Sequence, residues 1–79
     1  MTYHVKCPYS DNIFSYPDRD SIRRFVYAMM TKKDCTKKVW IRNGKRYVGS
    51  MWKTGRNVWW QSKGSRTKRI VSKDGTLRM

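Results

Sequence analysis

From Val39 onward the chain is cut into short strand-like runs by four glycine-bearing turn segments: Asn43-Gly44, Lys53-Thr54-Gly55-Arg56, Ser62-Lys63-Gly64-Ser65 and Asp74-Gly75. Strands this short, linked by turns this tight, make an antiparallel meander. In the first run Val39 and Ile41 point one way and Trp40 the other. Asn-Gly between two such runs is the strongest short-range hairpin signal a sequence offers. Strict alternation then puts Tyr47, Gly49 and Met51 on one face and Val48, Ser50 and Trp52 on the other. Val58-Trp59-Trp60 forms a third strand and Lys68 to Ser72 a fourth, centred on Ile70 and Val71. Asp74-Gly75 turns the chain once more before Thr76 to Met79.

The N-terminal part reads differently. Residues 2 to 7 alternate weakly, with Tyr3, Val5 and Cys7 against Thr2, His4 and Lys6, which suits a short strand that Pro8 ends. Pro8 to Pro17, rich in Ser, Asp and Asn, reads as a loop. Asp18 or Asp20 can cap a helix, because a short carboxylate accepts from the free amides of a first turn. Ile22, Phe25, Val26, Met29 and Met30 then recur at helical spacing as one apolar stripe, with Arg23, Arg24 and Tyr27 off it. Lys32 and Lys33 complement the negative pole of the helix dipole.

With 79 residues there is room for one domain and one small core, since a chain of this size hides only about 60% of its unfolded surface. The expectation is therefore a single α+β domain over 1–79: strand and loop over 1–17, helix over 18–34, basic meander over 37–79. One amphipathic helix would pack on a twisted antiparallel meander of four to five strands. Gly49, inside a strand, offers a place to bend, so a curled, SH3-like barrel is the alternative form of the same meander. The run from Val39 to Met51, with Ile41, Asn43-Gly44, Tyr47 and Gly49 in order, is similar to the first two strands of Sm-like and other SH3-like barrels. That resemblance covers about thirteen residues, much of which hairpins in general share, and would imply a ring-shaped oligomer that binds RNA. No second Sm-type motif follows.

Charge gives the meander its character. Lys and Arg number 19 against 5 acids, all Asp, for a net charge of +14. Residues 1–36 hold six basic groups and four Asp, whereas residues 37–79 hold thirteen basic groups and Asp74 alone. All four tryptophans, Trp40, Trp52, Trp59 and Trp60, fall in that second part. An apolar content of 38% with 14% aromatics is too high for a disordered basic tail.

The same inventory argues against an enzyme. The single imidazole, His4, has no orienting partner nearby in sequence, and Asp18 and Asp20, the one conceivable carboxylate pair, stand where helix caps belong. Neither a GxGxxG nor a GxxxxGK[ST] phosphate loop occurs. His4, Cys7 and Cys35 make an incomplete metal set, because a closed zinc site needs four ligands, so neither metal nor cofactor is expected. No cysteine pairing is required. The N-terminus lacks the basic start and apolar run of a signal peptide, and no run of about 18 apolar residues occurs, so the expected setting is inside a cell, with no membrane partner.

What remains is a basic, aromatic sheet surface, the composition that binds nucleic acid through phosphate contacts and base stacking. Trp40, Trp52 and Trp59 share one face by parity, while Trp60 belongs with Val39, Ile41, Tyr47, Met51 and Val58 under the helix. The candidate nucleic-acid-binding residues are Trp40, Arg42, Lys45, Arg46, Trp52, Lys53, Arg56, Trp59, Lys63, Arg66, Lys68 and Arg69. The one helix carries no Asn or Gln suited to base edges, so single strands or RNA are expected rather than a specific duplex site. The competing expectation is an accessory protein of phage type that binds and inhibits or redirects an acidic host or viral protein. A basic RNA-cleaving toxin is the third.

Overall fold

The computed structural model describes residues 2–9, 11–32 and 37–78. In chain order the elements are β1 (Tyr3–Lys6), β2 (Ile13–Tyr16), α1 (Arg19–Lys32), β3 (Val39–Asn43), β4 (Arg46–Thr54), β5 (Asn57–Ser62), β6 (Arg69–Val71) and β7 (Leu77–Arg78). All seven strands form one sheet in the order β2-β1-β3-β4-β5-β6-β7, and every neighbouring pair is antiparallel.

This overturns the expected class. The sheet has seven strands, not four or five, and strand far outweighs the single helix. The N-terminal segment supplies the difference. Between Pro8 and Pro17 the chain does not stay a loop but returns as β2, with Phe14 opposite Val5 and Tyr16 opposite Tyr3. Phe14 and Tyr16, two residues apart, share a face and pack on Phe25 of α1 at ring separations of 4.6 and 5.3 Å. The prolines bracket a hairpin arm. Nor does an SH3-like barrel form: β2 and β7 lie at opposite ends of the strand order. The sheet instead curls around α1.

Why it curls is visible at the two ends. On one side Phe14 and Tyr16 reach Phe25; on the other, the β6–β7 turn touches the first turns of the helix. Arg23 Nε donates to the carbonyl of Gly75 at 2.8 Å, its guanidinium lies 5.1 Å from the Trp60 ring centre, and the same group pairs with Asp20. Arg23 lies off the apolar stripe, yet it is buried at 7% exposure. The stripe itself behaves as its spacing predicts, with Ile22, Val26 and Met30 wholly buried and Phe25 and Met29 partly so. Asp18 caps the helix, accepting from the Ser21 amide at 2.7 Å. Ile22, Val26 and Met30 meet Val5, Ile41, Met51, Val58 and Trp60 in a single core. Among the described residues no helix is long and apolar enough to cross a membrane. Lys33 and Cys35 lie outside the described residues.

Glycine at 75 is required twice. Its φ is +91°, and a Cβ there would stand 2.1 Å from the Asp20 carbonyl oxygen. Gly55 also has a positive φ, +58°, but a Cβ there meets nothing within 4 Å. In urea denaturation Gly55→Ala should cost about 1 kcal/mol, the strain of the left-handed region alone, and Gly75→Ala about 3 kcal/mol or more. Equal losses would show that the turn does not press on the helix.

Two carboxylates contribute to the response to acid. The Ser21 backbone amide, then its hydroxyl, holds the Asp18 carboxyl below its ordinary value; the Thr76 hydroxyl, then its amide, does the same for Asp74. A lowered carboxyl stabilises the folded state fully above its unfolded value near 3.8 and loses that contribution as pH falls through the lower, folded value. Thermal stability should therefore decline below about pH 4. Asp18→Asn, which keeps a capping oxygen without the charge, should flatten the decline.

Candidate nucleic-acid interface

The two faces of the sheet are sorted by Gly49 and by one irregularity. Gly49 stands under the indole of Trp60, whose ring atoms would lie 2.5 Å from any Cβ. The missing side chain lets Trp60 lie across β4 inside the core, its Nε1 donating to Ser62 Oγ at 2.9 Å. Of the adjacent tryptophans, Trp60 is therefore the buried one and Trp59 the outward one, as parity predicts.

Parity fails between Gly49 and the β3–β4 turn. Ile41 faces Gly49 but Arg42 faces Tyr47, so the register shifts by one and Val48 is left over as a bulge. Tyr47 thereby joins Arg42 on the outer face, and Val48 packs against the core. Their expected sides are exchanged. The turn sits one residue later than the expected Asn43-Gly44: Asn43 ends β3, and Gly44 and Lys45 are the two central residues, which pairs Asn43 with Arg46. Counting outward from the turn puts Tyr47 beside Arg42, while counting back from Met51 does not. A disagreement of one residue is what a bulge absorbs.

The outer face carries a diagonal band of aromatic rings. Tyr47 and Trp40 meet edge to face with centroids 5.6 Å apart. Trp40 lies opposite Ser50, two residues from Trp52, and Trp52 lies opposite Trp59. Trp59 is anchored by its Nε1, which donates to Thr54 Oγ1 at 2.8 Å. Cations interleave with the rings. The Lys38 ammonium is 5.0 Å from the Trp52 ring centre and 5.6 Å from that of Trp40, Lys68 is 5.7 Å from Trp52, and the Arg42 guanidinium is 5.2 Å from Tyr47. Cations over aromatic faces attract the ring quadrupole, which holds long basic side chains near the band.

Beside this band, past the end of β1, opens a groove of about 700 Å³ whose lining includes Lys6, Tyr9, Lys37, Lys38, Trp40, Arg42 and Tyr47. Three of its rings are well exposed: Tyr9 and Trp40 at 49% and Tyr47 at 45%. Asp11 is its one acidic lining residue and pairs with Lys6 at 3.6 Å. The groove thus offers flat apolar faces within a positive field, which suits an unpaired nucleotide better than a small neutral molecule.

The twelve expected residues are not all gathered here. Trp40, Arg42, Trp52, Trp59 and Lys68 belong to the band. Lys45 and Arg56 occupy the hairpin turns at its two ends, Arg46 begins β4 beside the first of them, and Lys63 and Arg66 lie in the connection from β5 to β6. Lys53 and Arg69 belong to the other face, because they lie opposite the buried Val58 and Trp60. Tyr47, Lys37, Lys38, Lys6 and Tyr9 were not anticipated. Lys38, two residues before Trp40, could have been placed by period-two counting; nothing in the sequence marks Tyr9. His4 contacts Ser15 through Nδ1 at 2.8 Å, and Cys7 is buried. Among the described residues no three His, Cys or Asp side chains come together as a metal site; Cys35 lies outside them.

Compared with known proteins, the chain matches no protein-family model, no curated protein and no solved structure.

The division of the tryptophans is open to measurement by denaturation. Trp60→Ala should cost about 3–5 kcal/mol, as for a large core aromatic, while Trp40→Ala should change stability by less than about 1 kcal/mol. A comparable loss in both would mean that Trp40 is structural.

Proposed function

We propose that this protein is a non-enzymatic nucleic-acid-binding protein of low sequence specificity, taking single strands or RNA along the outer face of its sheet. The observation that carries the reading is the coincidence of exposed Tyr9, Trp40 and Tyr47 with Lys37, Lys38 and Arg42 in one groove. Phosphates release condensed counterions when cations neutralise them, and bases stack on the rings for about 1–3 kcal/mol each. The band of Trp52 and Trp59 continues the track beyond the groove, with Lys68 beside it. Stacking is indifferent to base identity, hence the low specificity. Such a role belongs to the cell interior, where the polyanion is found.

Binding to a labelled single strand, a duplex and an RNA hairpin over a salt series tests it. If Lys37, Lys38, Arg42 and Lys68 each neutralise one phosphate, the log–log slope for a single strand should be roughly −3. Trp40→Ala and Tyr47→Ala should each weaken single-strand binding by about 1–3 kcal/mol with the slope unchanged, since stacking releases no counterions. No retention of any probe at low salt would sink the reading and leave an acidic protein as the partner. Cleavage of the probe would replace it with a nuclease.

A further inference from the structure

On the other side of the sheet, between the first turns of α1 and the β5–β6 connection, lies a separate cavity of about 340 Å³ lined by Arg19, Arg23, Arg69, Ser62, Ser65 and Thr67, with the buried Trp60 also among its walls. We propose that this cavity is a binding site for a phosphomonoester dianion.

Three arginines line it, and two of them are already held in place by other contacts. Arg23 is fixed by the Gly75 carbonyl, by Asp20 and by the Trp60 ring, and Arg19 donates from Nε to the Tyr3 hydroxyl at 3.3 Å. Arg19 bonds through Nε and so keeps its two terminal nitrogens for a ligand. Arg69 is exposed and, among the described residues, has no hydrogen-bond or ion-pair partner, so its whole donor fork is available. Asp20 offsets one of the three charges, which leaves the cavity strongly positive.

The hydroxyls are set to donate. Ser62 Oγ already accepts from Trp60 Nε1, and Ser65 Oγ accepts from the Thr67 amide at 3.1 Å. An oxygen engaged as an acceptor still has its own hydrogen to give, so both serines can turn a donor toward the cavity. Planar forks together with hydroxyl donors match a tetrahedral oxyanion with several acceptor oxygens, and a dianion answers the charge better than chloride or a carboxylate. Because Trp60 and its strand partner Arg69 belong to the helix-facing side of the sheet, this site does not share the aromatic band and does not rest on the single-strand reading.

The test is a titration of the whole chain with inorganic phosphate at constant ionic strength, followed through the Trp60 indole N–H in nitrogen–proton correlation spectra. A saturable shift, absent with chloride, is expected. Arg69→Gln should weaken it about tenfold, the loss expected of one charge-assisted contact, while Trp40→Ala should leave it unchanged. Arg69 is exposed, so the variant should keep its fold, which the same spectra report. No saturable shift, or one that Arg69→Gln does not weaken, overturns the proposal. A second titration, with a short single strand carrying either a 5′-phosphate or a 5′-hydroxyl, identifies the source of the dianion. A preference of about tenfold for the phosphorylated strand, lost in Arg69→Gln, assigns it to a strand terminus. Equal binding of the two strands beside a positive phosphate titration assigns it to a free phosphomonoester.

Discussion

The buried guanidinium of Arg23 is the contact on which the shape of this molecule turns. It reaches from the second turn of α1 to the Gly75 carbonyl at the far end of the sheet and lies against Trp60 on the way. A charged group cannot stay out of water without partners, so its burial demands that helix, β5 and the β6–β7 turn all be in place at once. Phe25 fastens the opposite end of the sheet to the same helix. A seven-stranded sheet with one short helix to cover it can bury an entire face only by wrapping that helix. The two ends supply the closure that strand pairing does not.

Wrapping has consequences for both faces. On the concave side it brings Arg19, Arg23 and Arg69, from two elements distant in the chain, around one cavity. On the convex side it spreads the outward residues apart, so that Trp40, Trp52 and Trp59 form a band rather than a cluster, with cations seated between them. The bulge at Val48 extends that band, because it turns Tyr47 outward beside Arg42.

Local signals carried a good deal of this. The helix stripe, its Asp18 cap, the hairpin turns at Gly44 and Gly55 and the opposite facing of Trp59 and Trp60 follow from periodicities of 3.6 and 2 and from turn chemistry, all of which act over a few residues. The β2 arm was hidden by two prolines and a polar stretch, and only its partner β1 makes Phe14 and Tyr16 inward residues. Arg23 was hidden for the opposite reason: a charged side chain off the apolar stripe reads as solvent-facing unless its distant partners are known.

The strands of the second half, the opposite facing of Trp59 and Trp60, and the concentration of positive charge and tryptophan on that half are written in residues that are neighbours along the chain, and so could be read from it directly. How many strands share the sheet, which face Tyr47 takes, and that Arg69 stands apart from the aromatic band beside two helix arginines were settled by packing in three dimensions. Those depend on pairing and closure between residues far apart in the chain, such as Arg23 and Gly75, 52 positions apart, and no local pattern encodes them.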